Sequence, residues 1–252
     1  CIIRLQREDG GTISSFEELG YLPEQREHLR TMMRRGSGVF FISGAVGSGK
    51  SLTLANVMKM MFQDAGGKIC IVTLEDPVEF RIPGAQQKPV KVTTEISESN
   101  DNAWLAGIDH MRRCDINVAN IGEARRASIP AVIRLALTGR PVWTTMHCSY
   151  STQIPGRLSD AGVEQSVLTD PLIIAGLVNQ SLVPVLCAHC KVPFLKIKHT
   201  LPEDLVARIE KFCTPETVYF SGAGCEHCKQ GIVGRQVCAE TLIPNAKFMH
   251  TY

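Results

Sequence analysis

The chain has 252 residues, of which 44% are hydrophobic and 21% charged, and its formal net charge is +2. This length and composition fit a soluble intracellular protein with a full core, in one large or two smaller domains. The small net charge and the lack of a dense basic stripe argue against a nucleic-acid partner. The most apolar stretch, residues 171–187, contains Asn179, Gln180 and Pro184, so it is a poor membrane span and we expect a buried helix there.

The predicted elements alternate between strand and helix up to residue 146. In chain order they are a strand at 2–5, a helix at 25–35, a strand at 39–42, a helix at 52–62, a strand at 68–74, a short strand at 90–94, a helix at 104–113, a strand at 116–121, a helix at 129–137 and a strand at 142–146. Such alternation predicts an α/β fold with a parallel sheet. Beyond residue 146 the pattern is helical. The strand-like start suggests that the chain is part of a longer protein.

Residues 44–51 match the G-x-x-x-x-G-K-[ST] pattern of a phosphate-binding loop (P-loop). They are Gly44, Ala45, Val46, Gly47, Ser48, Gly49, Lys50 and Ser51. A strand precedes and a helix follows, as the motif requires, so backbone N–H groups and the helix N-terminus would bind the phosphates of ATP. Lys50 would neutralise the β- and γ-phosphates, and Ser51 would bind Mg²⁺. A glycine-rich turn that matches by chance is the alternative.

Acidic residues follow two of the predicted strands, where a carboxylate can face the γ-phosphate, the metal or the attacking water. We assign Glu75 to orient and deprotonate the water, and Glu123 to hold Mg²⁺ through a water molecule. Asp76 and Glu79 are second choices. Because an isolated glutamate after a strand is usually a solvated turn residue, these assignments depend on the P-loop upstream.

His147 follows the strand at 142–146, the third place from which a polar group could reach the nucleotide. Its ring N–H could bind the γ-phosphate and lose that partner after hydrolysis, which would make it a sensor. The spacing fits an ordinary loop histidine equally well.

Four of the ten cysteines form two C-x-x-C pairs, namely Cys187, Cys190, Cys225 and Cys228. Paired motifs of this kind predict a structural Zn²⁺ site, since four thiolates leave no coordination position open for water or substrate. The gap between the pairs is longer than in the usual zinc ribbon, so redox-active or merely buried thiols are the alternative. We expect the other six cysteines to be small core residues in a reducing cytosol.

The order of these motifs resembles the secretion ATPases of type IV pilus assembly and type II secretion. That family names four boxes, which here are Walker A at 44–51, the Asp box at 75–79, Walker B at 121–125 and the His box around His147. The resemblance covers residues 1 to about 245. It implies a RecA-like P-loop ATPase core at 11–185, a tetracysteine zinc subdomain at 186–240, the last strand of a preceding domain at 1–10 and the start of a further segment at 241–252.

The resemblance also implies a function. Members are homo-hexameric motors that hydrolyse ATP with Mg²⁺ in the bacterial cytoplasm and move a platform protein of the inner membrane, and through it pilin subunits. Members with four cysteines are typically assembly or secretion motors, so pilus assembly is favoured over retraction, with a type II secretion ATPase as the alternative. Arg4 corresponds to an arginine that approaches the γ-phosphate.

Some positions depart from the family pattern. Asn117 and Arg126 stand where aspartates are usual, Ser181 replaces an arginine, and Cys148 and Ser149 replace the Thr-Asn after His147. These departures spare Lys50 and the assigned acids. Asn117 and Arg126 support a second hypothesis, a non-hydrolysing scaffold that uses ATP to hold subunits together, and the retained acids count against it. A third hypothesis, a nucleic-acid translocase on the same core, is disfavoured by the near-neutral charge.

Overall fold

The computed structural model describes residues 15–90, 97–249 and 251. Its contacts divide the chain into two compact units, one of Cys1–Ser181 with Val237–Tyr252 and one of Leu182–Gln236. The predicted strand at 2–5 and Arg4 lie outside the described residues, and the domain boundaries proposed above stay predictions. Of the helices that the structure describes, none combines the length and the apolar composition needed to cross a bilayer.

The described part of the chain contains the following helices and strands, in chain order. They are α1 (Pro23–Arg34), β1 (Gly38–Ser43), α2 (Lys50–Asp64), β2 (Ile71–Glu75), β3 (Ala85–Pro89), α3 (Ser97–Arg113), β4 (Val118–Ile121), α4 (Ile129–Ala136), β5 (Pro141–Met146), α5 (Ile154–Asp160), α6 (Gln165–Leu168), β6 (Ile174–Leu186), β7 (Val192–Pro193), α7 (Phe194–Ile197), α8 (Glu203–Phe212), β8 (Tyr219–Phe220), β9 (Ile232–Leu242) and α9 (Ala246–Met249). Within the described residues, seven of the strands form one sheet in the order β3-β2-β4-β5-β1-β6-β9.

The sheet is parallel from β3 through β6. Strands β1, β4 and β5 are buried along their whole length, because helices cover both faces of a parallel sheet. Helix α2 packs on β1 and β5, while α3 and α4 pack on each other and on the sheet. The predicted α/β fold is therefore confirmed. The second unit contains a small antiparallel pair, β7 with β8.

The helix predicted within residues 171–187 is wrong, because this stretch forms β6, which pairs in parallel with β1. Its residues 174–178 are all buried. A strand that lies inside a sheet is apolar on both faces, and such a run cannot be told from a buried helix by its pattern.

The short strand predicted at 90–94 stays a prediction, and the structure shows a strand that was not predicted just before it. The structure has β3 at Ala85–Pro89, and residues 91–96 lie outside the described part of the chain. This edge strand has the sequence AQQKP, which lacks the alternation of apolar and polar residues by which a strand is recognised.

The segment around α1 covers one edge of β9. The backbone N–H of Val237 donates to the carbonyl of Leu19 at 2.7 Å. Further along, the Gln25 side chain donates to the Ala239 carbonyl at 2.6 Å. These bonds satisfy backbone groups that an open sheet edge would expose.

Gly176 in β6 leaves no room for a side chain. A Cβ there would lie 2.7 Å from Met32 Sδ and 2.9 Å from Phe40 Cδ1, and both neighbours are buried. We expect Gly176→Ala to lower the free energy of unfolding by about 1–3 kcal/mol, measured by denaturant unfolding, because the packed side chains must shift. Gly156→Ala is the control, since a Cβ there meets nothing within 4 Å. Equal losses in both variants would contradict this account.

Candidate functional site

The P-loop connects β1 to α2, and its shape depends on glycine. Gly44 has a φ of +145°, and a Cβ on it would lie 2.2 Å from the carbonyl oxygen of Gln180 in β6. Gly47 and Gly49 also have positive φ angles. Only glycine adopts these conformations without strain, and they allow successive backbone N–H groups to form an anion-binding nest.

Lys50 begins α2, and its side chain turns back over the loop. Its Nζ donates hydrogen bonds to the carbonyls of Gly44 and Ala45, both at 2.8 Å. Burial lowers the pKa of Lys50, and the nearby carboxylates of Glu123 and Glu79 oppose this shift. The ammonium thus lies between the loop and the acidic strand ends, where it can neutralise a phosphate.

A cavity of about 470 Å³ opens beside the P-loop. Residues 46–51 line it together with Glu75, Glu123 and His147. The structure therefore brings together most of the predicted site residues, while Gly44 and Ala45 line an adjoining cavity. The volume is typical of small-molecule sites, which span about 300–1,000 Å³. The chemical roles assigned to these residues stay predictions.

Glu75 ends β2, and its carboxylate accepts hydrogen bonds from residues of β2 and β3. Oε1 accepts a hydrogen bond from Thr73 Oγ1 at 2.5 Å and another from Gln87 Nε2 at 3.0 Å. The Gln87 amide is itself fixed, because it also donates to the Phe80 carbonyl and accepts from the Ile82 N–H. Gln87 was not predicted from the sequence, since the polar residues of β3 do not resemble a strand.

Glu123 follows β4, and both of its carboxylate oxygens have partners. Oε2 accepts from Arg125 Nε at 3.1 Å, and Oε1 lies 3.3 Å from His147 Nε2. The other ring nitrogen, His147 Nδ1, lies 3.2 Å from the Gly44 carbonyl oxygen. Both ring nitrogens therefore face oxygen atoms. His147 thereby links the Walker B acid to the first glycine of the P-loop.

A buried polar network supports the loop from behind. Tyr21 Oη donates to Gln180 Oε1 at 2.7 Å and lies 3.2 Å from Thr53 Oγ1 in α2. Gln180 Nε2 in turn donates to the carbonyl of Ser48 at 2.8 Å. The sequence analysis did not identify these residues, because Tyr21 and Gln180 are 159 positions apart and belong to no motif.

In the second unit, the four predicted zinc ligands converge. The sulfur atoms of Cys187, Cys190, Cys225 and Cys228 all lie within 4.8 Å of one another. Two of the Sγ–Sγ distances are 3.7 and 3.6 Å. Four thiolates at about 2.3 Å from a tetrahedral zinc ion would be about 3.8 Å apart, so this group fits Zn²⁺. None of the four forms a disulfide.

The known proteins that this chain resembles are named as secretion and pilus assembly proteins. The family described as "Type II/IV secretion system protein" matches residues 1–252. The type IV pilus assembly ATPase PilB of Thermus thermophilus is 30% identical over an alignment of 252 positions, which covers 99% of this chain and 27% of that protein. Type II secretion system protein E of Dickeya dadantii is 30% identical over 230 residues, covering 90% and 43%. The chain thus spans less than half the length of these relatives.

Solved structures support the fold. The pilus retraction motor PilT with bound ADP aligns with a TM-score of 0.63 and 22% identity, over 95% of this chain and 56% of that one. The ATPase DotB of Legionella pneumophila aligns with a TM-score of 0.61 and 18% identity, over 94% and 53%. The predicted fold class agrees with both, and at these identities the likeness concerns the fold alone.

The cysteine cluster allows a direct test of the metal. We expect the purified protein to contain about one Zn²⁺ per chain, and Cys187→Ser or Cys225→Ser to lose it and to unfold at a lower temperature, because such sites contribute on the order of 10 kcal/mol to folding. Metal analysis and thermal unfolding measure both effects. Cys213→Ser, an exposed free thiol in the same unit, is the control. Full zinc occupancy in both ligand variants would refute the assignment.

The network behind the P-loop predicts a pH dependence. Burial raises the pKa of Tyr21 from its ordinary value of 10.0, and the hydrogen bond with Thr53 only partly opposes this. Above pH 10 the unfolded chain therefore loses the phenolic proton before the folded chain does, and stability falls with rising pH by up to about 1.4 kcal/mol per unit.

At neutral pH we expect Tyr21→Phe to be about 1 kcal/mol less stable than the wild type, because a hydrogen bond is missing. As the pH rises above 10, the stability of this variant should fall less than that of the wild type. Thermal unfolding across this pH range measures the difference. Tyr150→Phe is the control, since Tyr150 is 57% exposed and its variant should follow the wild type. Parallel curves for all three proteins would show that Tyr21 does not titrate differently on folding.

Proposed function

Because this chain belongs to the Type II/IV secretion system protein family, we propose that it is the ATPase core of a motor that powers type IV pilus assembly. The family match confirms the resemblance inferred from the order of the motifs. Relatives of equal identity are named as pilus assembly ATPases and as type II secretion proteins. A type II secretion ATPase is therefore the alternative reading of the same core.

One observation carries the proposal of ATP hydrolysis. The P-loop with Lys50 lines the same cavity as two carboxylates, Glu75 at the end of β2 and Glu123 just after the neighbouring β4. A phosphate-binding loop alone explains binding. Acids that face it from the adjoining strand ends add the groups that hydrolysis requires, one to prepare water and one to support the metal.

In the proposed mechanism, Lys50 and the loop N–H groups bind the triphosphate of ATP. Ser51 and Glu123, the latter through water, are the residues that would hold Mg²⁺, which neutralises charge on the β- and γ-phosphates when bound. Glu75 orients the attacking water and accepts its proton, with its carboxylate fixed by Thr73 and Gln87.

His147 is suited to report hydrolysis to the rest of the molecule. It contacts the Gly44 carbonyl on one side and Glu123 on the other. A change in charge at the γ-phosphate position would alter both contacts, so the ring can couple the nucleotide state to the His box segment that follows it. We include Arg4 as a further residue that approaches the γ-phosphate, from the part of the chain that lies outside the described residues.

The assembly is proposed on the names of the relatives and on the motif resemblance. We propose a homo-hexamer in the cytoplasm, associated with the inner membrane, that passes movement to a platform protein and through it to pilin subunits. The tetracysteine group, which fits Zn²⁺, favours assembly or secretion over retraction. The near-neutral net charge gives no support to a nucleic-acid partner.

We expect the full-length protein that contains this chain to release phosphate from ATP in the presence of Mg²⁺. Glu75→Gln should lower kcat by at least about 10²-fold with little change in ATP affinity, because it removes only the proton acceptor. Glu123→Gln should also lower kcat, whereas Lys50→Ala should weaken nucleotide binding itself. Glu216→Gln, an exposed glutamate in the second unit, is the matched control.

Steady-state phosphate release and equilibrium binding of ADP distinguish the hypotheses. If both glutamine variants hydrolyse ATP at the wild-type rate, the proposed roles of the acids are wrong. Binding without phosphate release in the wild type would favour the scaffold, and turnover that DNA stimulates would favour the translocase.

A further inference from the structure

We propose that Trp104 is a positioning residue for the Walker B carboxylate, and that it acts through Arg125. This inference rests on the proposed function, because it deepens the account of the same cavity. It adds a residue from α3 that none of the chain's motifs contains.

Arg125 is held between an aromatic ring and an acid. Its guanidinium carbon lies 5.6 Å from the centroid of the Trp104 ring. Its Nε donates to Glu123 Oε2 at 3.1 Å. A cation over the face of an indole is attracted by the ring's electron density, and Trp offers the strongest such face. The ring and the carboxylate therefore fix the same side chain from two directions.

The difference in burial between these residues gives the ring its role. Trp104 is 1% exposed and belongs to the apolar core, whereas the side chains of Arg125 and Glu123 are 37% and 32% exposed. A partly exposed ion pair by itself contributes little, because two flexible side chains must be ordered to form it. A rigid, buried ring already restricts the Arg125 side chain, so this side chain loses less conformational entropy when it forms the ion pair.

The opposite oxygen of Glu123 faces His147, which in turn contacts the P-loop. The carboxylate is therefore held between Arg125 and His147. Without the Trp104 ring, Arg125 gains rotational freedom and one of the two supports of the carboxylate weakens. We expect the consequence in the step that needs Glu123 in place, and not in the binding of the nucleotide, which the loop itself provides.

Trp104 has a second feature that the test must separate from the first. Its indole Nε1 is buried and has no hydrogen-bond partner within the described parts of the chain, and the residue lines the cavity. A contact from this N–H to a bound molecule would be a different role. Trp104→Phe keeps an aromatic face for Arg125 and removes the N–H, whereas Trp104→Leu removes both.

The first measurement is steady-state ATP hydrolysis by the full-length protein. We expect kcat to fall about tenfold in Trp104→Leu and no more than about threefold in Trp104→Phe, with KM for ATP nearly unchanged in both. Combined with Arg125→Gln, Trp104→Leu should cost nothing beyond the loss that Arg125→Gln causes alone, because both remove the same support. Losses that multiply, or a Phe variant as impaired as the Leu variant, would overturn the proposal.

The second measurement needs no turnover. Mg²⁺ is titrated into the ADP complex of each variant, and we expect Trp104→Leu to need several times more Mg²⁺ than the wild type while ADP affinity without Mg²⁺ stays the same. Equal Mg²⁺ dependence in all variants would overturn the positioning role. A wild type that releases no phosphate refutes the proposed function instead, and the Mg²⁺ titration then decides the role of Trp104 by itself.

Trp143→Leu is the control for core damage. Trp143 is also fully buried, and it stacks on Phe40 at a centroid distance of 4.5 Å. Its loss should lower the unfolding temperature without changing the Mg²⁺ dependence, and an equal change in both Leu variants would show that Trp104 acts only through stability. Trp104→Met replaces Trp104→Leu if the latter does not fold.

Discussion

The approach of the Gln180 carbonyl to Gly44 is the constraint on which the site depends. The position that a Cβ would take is only 2.2 Å from that oxygen, so β6 fixes where the P-loop leaves β1. The Gln180 side chain adds a second attachment by binding the Ser48 carbonyl. Because the loop is tied to its neighbouring strand at two points, its N–H groups keep a defined direction, and preorganised donors of this kind bind anions at a low cost in entropy.

The acids at the end of the sheet are supported in part by residues that belong to no motif, namely Gln87 and Trp104. Gln87 on the edge strand fixes Glu75, and Arg125 with its aromatic support holds Glu123. Gln87 comes from β3 and Trp104 from α3, so each acid is supported from an element other than its own. The motif residues thus supply the chemistry, while the surrounding fold supplies their orientation, as catalytic geometry in general requires.

Sequence patterns predicted the parts of the structure that depend on residues close together in the chain. Glycine spacing identified the P-loop, and C-x-x-C spacing identified a thiol cluster that the structure confirms as four converging sulfurs. The sequence pattern failed where the position in the sheet determines the element. The buried start of β6 is apolar on both faces, as a buried helix would be, and β3 is too polar to resemble a strand. The contact between Tyr21 and Gln180 could not be predicted for another reason, since it joins distant parts of the chain.

The covering of β9 by the segment before and within α1 has a consequence for how the protein is made. Val237 and Ala239 form hydrogen bonds with Leu19 and Gln25, which leave the ribosome more than two hundred residues earlier. During synthesis, Leu19 and Gln25 therefore cannot form these two hydrogen bonds until the whole second unit has been translated. The seven-stranded sheet can likewise be completed only after β9 has been translated.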